Sequence, residues 1–97
     1  MKVAAVIEYT TDKDKTAAVR PVHRNYLAQL YDNGQLVLAG PFADDSGALI
    51  VYEVNSVSEA EKLLQEDPFC REGVFVRWTL QPWRLVFVNQ LSPTKPV

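Results

Sequence analysis

The sequence predicts an α+β domain of ferredoxin-like type, a βαββαβ sandwich built on an antiparallel sheet. Three observations predict it. Strand-like and helix-like segments follow one another as strand, helix, strand, strand, helix, strand; the two middle strands are joined by a short polar turn; and no internal repeat or low-complexity segment interrupts the order. At 97 residues the chain fits one small core.

Each element has a local cause. Residues Lys2 to Tyr9, "KVAAVIEY", form a short run of β-branched and aromatic residues suited to a buried strand. The polar "TTDKDKT" follows, and helical periodicity is read from about Thr16, with Val19, Val22, Tyr26, Leu27 and Leu30 in one apolar stripe. "DNG", Asp32 to Gly34, closes this helix with a glycine able to take the left-handed cap conformation. "LVLAGPF", Leu36 to Phe42, and "ALIVYEV", Ala48 to Val54, flank the turn "ADDSG" and predict antiparallel neighbours. Ser56 stands three residues before Glu59, the spacing of a capping box, and Val57, Ala60, Leu63 and Leu64 give the second helix its buried side. Pro68 disfavours helical geometry at Asp67 and ends it there, leaving "DPFCREG" as a turn or helical fragment. The alternating "VFVRWTLQPW" is the last strand.

One sheet face is left without helices. Either Trp78 or Phe75 is expected to point toward it, according to register, so a second subunit is expected to pack there, sheet against sheet; a solvated face is the plainer alternative. Beyond Trp83, "RLVFV" reads either as an extension of the last strand or as an arm to a partner subunit. "NQLSPTKPV", with two prolines, reads as a frayed end.

Composition excludes several function classes. Ten basic residues against twelve acidic ones give a net charge of −2, and the basic ones are scattered, so no stripe is available for a nucleic-acid backbone. Glu8 breaks the N-terminal apolar run, which argues against a signal peptide or a membrane span, and the protein is expected to be cytoplasmic. One cysteine and one histidine cannot build a Cys/His zinc cage within the chain, and no phosphate loop or dinucleotide fingerprint occurs, so neither metal nor cofactor is expected.

The residues open to chemistry are few. His23, the single histidine, falls near the middle of the apolar stripe and should face the sheet. Pro21, two residues earlier, is expected where the helix opens or kinks, which puts His23 at a pocket mouth. An inward histidine with one hydrogen-bond partner is commonly a core residue; a carboxylate on one ring nitrogen would leave the other basic. Asp67 is the candidate carboxylate, although aspartate before proline is also a natural helix N-cap. Ser46, or a backbone amide of the hairpin "GPFADDSG", could hold a substrate oxygen, and Arg20 an anionic substrate, where a turn serine and a solvated arginine are the ordinary readings. Cys70 reads as an inert buried thiol, Trp78 and Trp83 as packing or interface residues, and Asp44-Asp45 as loop solvation.

These pieces resemble the YCII-related family of small proteins. The resemblance rests on "RPVH" at Arg20 to His23, "GQLVLAGPF" at Gly34 to Phe42, "SGALIVYEV" at Ser46 to Val54, "DPF" and "GVF" between Asp67 and Phe75, and the closing "QPW". It implies a dimeric α+β barrel with His23 and Asp67 as the presumed active-site pair, and a domain over residues 1–84 followed by an extension over 85–97. A lyase-type elimination, removal of chloride from a chlorinated aromatic diol or triol, is the clearest activity it suggests. The leading expectation is a cofactor-independent enzyme of lyase or isomerase type acting on a small cyclic or aromatic substrate. Arg20, Gly40, Pro41, Ser46 and Phe69 would shape its pocket. The second reading is a homodimer that binds a small molecule without transforming it, or serves as an accessory module. A haem protein with His23 as axial ligand is a third and weaker one.

Overall fold

A computed structural model describes residues 1–89. Its elements are β1 (Lys2–Tyr9), α1 (Lys13–Asp32), β2 (Leu36–Pro41), β3 (Gly47–Glu53), α2 (Val57–Glu66), α3 (Pro68–Arg71) and β4 (Phe75–Trp83). The four strands form one antiparallel sheet in the order β2-β3-β1-β4, the ferredoxin-like arrangement that the element order predicts. Val3, Ala5, Ile7 and Tyr9 of β1 and Ala48, Ile50 and Tyr52 of β3 share one side, where they pack with Leu30, Leu64 and Phe69 from the helices.

The first helix starts earlier than its apolar stripe. Asp12 caps it, accepting from the backbone N–H of Lys15 at 3.1 Å, so Lys13 to Lys15 are helical although all are exposed. Of the two places expected for Pro21, the opening of the helix and a point within it, the structure gives the second. Val22, expected in the stripe, is 55% exposed. The cause is angular: Thr16, His23 and Leu30 recur every seven residues on one line and are buried, whereas Val22 stands about 100° around the helix from His23. At the C-terminus Gly34 has φ +78° and the N–H of Gln35 reaches the Leu30 carbonyl, which closes the helix as the "DNG" signal predicts.

A β-bulge resolves the question of Phe75 and Trp78. The β1–β4 register shifts between Glu8 and Tyr9, pairing Glu8 with Arg77 but Tyr9 with Phe75. Val76 is the extra residue, and the bulge brings Phe75 and Trp78 to the same side: Phe75 is buried in the core and Trp78 packs against it. Neither aromatic marks the open face, contrary to the expectation. That face carries Val6, Glu8, Arg77 and Thr79, with Val6 49% exposed. β4 ends at Trp83, so "RLVFV" does not extend it; Leu85 to Val88 are exposed and without regular structure. Of the frayed-end segment only Asn89 is among the described residues.

Candidate functional site: a buried histidine–aspartate pair

Asp67 owes its position to the residue after it. Proline excludes the helical conformation from its predecessor, and Asp67 sits at φ −64°, ψ 133°, which stops α2 and opens α3. Its side chain then caps α3, Oδ1 accepting from the Phe69 backbone N–H at 2.9 Å. The same Oδ1 lies 2.7 Å from Nδ1 of His23, forty-four residues away in sequence. Asp67 is fully buried and His23 is 6% exposed. A carboxylate only accepts, so the shared hydrogen is assigned to Nδ1, and Nε2 is the edge of the ring left free. Both the capping and the pairing roles of Asp67 are present, carried by one oxygen. The other, Oδ2, is buried without a hydrogen-bond partner.

Aromatic rings fix the imidazole. Phe69 lies parallel to it, with centroids 3.8 Å apart and planes 8° from parallel. Phe75 meets it edge-on at 6.1 Å, and Tyr9 packs edge-to-face on Phe69 at 5.4 Å. Phe69 is fully buried: it supports the histidine from beneath and does not line the cavity.

His23 lines a cavity of about 530 Å³ between α1 and the β2–β3 edge of the sheet. Arg20, Leu27 and Arg24 project into it because they stand about 60°, 40° and 100° to one side of His23 on the helix. Gly40, Pro41, Ala48 and Ile50 supply the sheet wall. Of the residues singled out in the sequence, His23, Arg20, Gly40 and Pro41 thus share one cavity, with Asp67 and Phe69 behind the histidine. Ser46 is placed elsewhere. Its hydroxyl donates to Asp44 at 2.7 Å, which holds the Asp44 carboxyl below its usual range, and it lines a second cavity of about 610 Å³ along the open sheet face. That second cavity is the larger and lacks the dyad, which borders the first.

Arg20 is half committed already: it donates to Asp45 at 2.8 Å. This pair stands between the two cavities, Arg20 lining one and Asp45 the other, and Tyr9 lines both. Burial pushes the Tyr9 phenol up to about 12, against the pull of Arg20. It remains a proton donor at neutral pH. Sequence periodicity missed Tyr9, whose place at the end of a strand read only as core, and Arg24, whose signal was its helical spacing of four from Arg20. Among the described residues no three His, Cys, Asp or Glu side chains gather as a metal site, and no helix is long and apolar enough to cross a membrane.

Fold and site together define a small ferredoxin-like α+β protein with a buried histidine–aspartate dyad at the wall of a cavity. More particularly, the chain belongs to the YCII-related domain family, whose model matches residues 1–84. It is 30% identical over 93 residues to Protein YciI of Escherichia coli O6:H1, covering 81% of this chain and 95% of that protein, and equally to Protein YciI of Shigella flexneri. The Bacillus subtilis protein YjpA is 32% identical over 63 residues, 65% of this chain and 73% of its own. Among solved structures, 5-chloro-2-hydroxyhydroquinone dehydrochlorinase from Burkholderia phenoliruptrix, in complex with 2,5-dihydroxybenzoquinone, superposes with a TM-score of 0.76. It is 20% identical, covers 87% of this chain and 94% of its own, and bears on the fold.

Proposed function

We propose that the protein is a cofactor-independent enzyme of lyase or isomerase type, in which Nε2 of His23 takes or gives a proton on a small cyclic or aromatic substrate held in the Arg20–Gly40 cavity. The observation that carries this is the 2.7 Å bond between Nδ1 of His23 and a fully buried carboxylate, beside a cavity. Asp67 fixes the tautomer and stabilises the imidazolium formed when the substrate proton arrives. Arg20 and Arg24 favour a substrate that carries or develops negative charge on oxygen, and the Tyr9 hydroxyl adds a neutral donor.

The dehydrochlorinase of like fold suggests the first substrate to try. In such an elimination the ring first tautomerises, one hydroxyl proton moving to the chlorine-bearing carbon as that oxygen becomes a carbonyl. A second hydroxyl proton then goes to His23, its electrons form the second carbonyl and shift the ring double bond onto the chlorine-bearing carbon, and the C–Cl bond breaks with its pair leaving on chloride. No oxidant or reductant is consumed. The open sheet face is proposed to be covered by a second copy, as the resemblance implies; its half-exposed Val6 and Val76 support an apolar contact there.

The test is chloride release from 5-chloro-2-hydroxyhydroquinone and related chlorinated polyols, with wild type and His23→Ala compared. A loss of about 10²- to 10⁴-fold in the variant is expected. A folded His23→Ala protein with full turnover overturns the mechanism. A ligand that raises thermal stability yet survives prolonged incubation unchanged would favour the non-catalytic binding module.

A further inference from the structure

Asp67 is a carboxylate with all its hydrogen bonding on one side. Oδ1 accepts from His23 and from the Phe69 backbone, while Oδ2 is buried and receives nothing from the protein. A buried carboxylate oxygen left without a donor is costly, and native proteins rarely tolerate one. One other buried side-chain polar atom among the described residues stands in the same condition, the hydroxyl of Tyr52. Tyr52 is 0% exposed, on β3 between Val3 and Leu36, with its ring on the helix-covered side of the sheet where Phe69 also packs.

These two orphans are chemically complementary. A phenol is a donor, and an ionised carboxylate oxygen is an acceptor. Burial first, and then the negative charge of Asp67, raises the Tyr52 phenol, so it keeps its proton throughout the physiological range. The neighbouring phenol is already engaged: Tyr26 donates to the Leu63 carbonyl at 2.7 Å. Tyr52 and Asp67 make no direct hydrogen bond, and a bridge with one donor and one acceptor end satisfies both atoms.

We infer that Tyr52 is a positioning residue for the dyad: its hydroxyl donates, through one bridging water, to Oδ2 of Asp67, and so holds the carboxylate plane with Oδ1 toward His23. The Asp67 carboxylate is then anchored from three directions, by the start of α3, by α1 and by the central strand β3. The sheet thereby sets the orientation of a histidine on a helix it does not directly hydrogen-bond. Tyr52 touches neither cavity and is no catalytic group.

The inference rests on Asp67 orienting His23, but its readouts require no turnover, so failure of the enzymatic reading leaves them intact. Tyr52→Phe removes the hydroxyl and little else. If the hydroxyl serves Asp67, the thermal midpoint falls by about 4–8 °C, and the single imidazole Nδ1–H resonance, unambiguous in a chain with one histidine, moves downfield as Oδ1 takes more of the carboxylate charge. In an Asp67→Asn background, where the charge is gone, the same Tyr52→Phe change costs less. A midpoint equal to or above wild type shows the hydroxyl to be unpaired and overturns the inference. A drop of equal size in the Asp67→Asn background, or an unmoved Nδ1–H resonance, does so too, because the partner is then not Asp67.

Discussion

Asparagine and alanine at position 67 should behave very differently, because one oxygen of Asp67 does two jobs. With its amide oxygen in the place of Oδ1, asparagine can still accept from the Phe69 N–H and from Nδ1 of His23, now at 2.9 Å and 2.7 Å. What it removes is a buried charge, whose desolvation offsets much of what the pair gains. Asp67→Asn is therefore expected within about 1 kcal/mol of wild type, while its turnover falls because a neutral amide does not stabilise an imidazolium. Asp67→Ala loses the helix cap, about 1 kcal/mol, and leaves the buried Nδ1–H of His23 unmet, about 1–3 kcal/mol. The two losses come to about 2–4 kcal/mol, and each kcal/mol lowers the midpoint of a domain this size by about 4–8 °C. Thermal and urea denaturation of the three proteins, with chloride release or another turnover assay alongside, measures both halves. If Asp67→Asn is destabilised as severely as Asp67→Ala, Oδ1 does not carry both bonds, and the shared-oxygen geometry of the dyad is refuted.

Two further outcomes are expected. Gly47→Ala would drive a Cβ into the Ile7 carbonyl oxygen and put it 3.0 Å from the Ile7 carbonyl carbon, both backbone atoms of the adjacent strand β1; a loss of about 1–3 kcal/mol or more in chemical denaturation follows, and an unchanged midpoint would contradict the β1–β3 spacing. Burial, and then the Asp67 charge, pushes the Cys70 thiol up, so less thiolate is present at any given pH: alkylation by iodoacetamide at pH 8 should be slower than for a free cysteine and faster in Asp67→Asn, and a rate untouched by that substitution would place Asp67's charge out of reach of the thiol.

Much of the site was legible because its signals are local. Pro68 ends one helix and begins another, so "DP" fixed the backbone of Asp67, and the stripe of Val19, Tyr26, Leu27 and Leu30 turned His23 inward. Nothing local brings positions 23 and 67 together: Asp67 was a candidate by residue type, and the resemblance is what joined it to His23. The helix start was read late, near Thr16, because apolar periodicity dates a helix from its first buried turn, and the exposed turn capped by Asp12 carries no such signal. The bulge at Val76 was hidden because strict alternation assigns Phe75 and Trp78 to opposite faces, and one extra residue reverses the phase. Ser46 was drawn to the dyad by its hairpin, but a side chain at a turn can hydrogen-bond two residues back, and here Asp44 takes the hydroxyl. Tyr52 left no trace, since a tyrosine inside "ALIVYEV" reads as an apolar strand residue whatever its hydroxyl meets.

The parallel stacking of Phe69 on His23 has a consequence for how a proton could pass. A flat ring lying 3.8 Å above another can slide within its own plane but cannot tumble out of it. Held so, and tethered at Nδ1, the imidazole presents Nε2 along one fixed line. Any partner of Nε2 must come to that line, for the ring has no freedom to reach out and meet it.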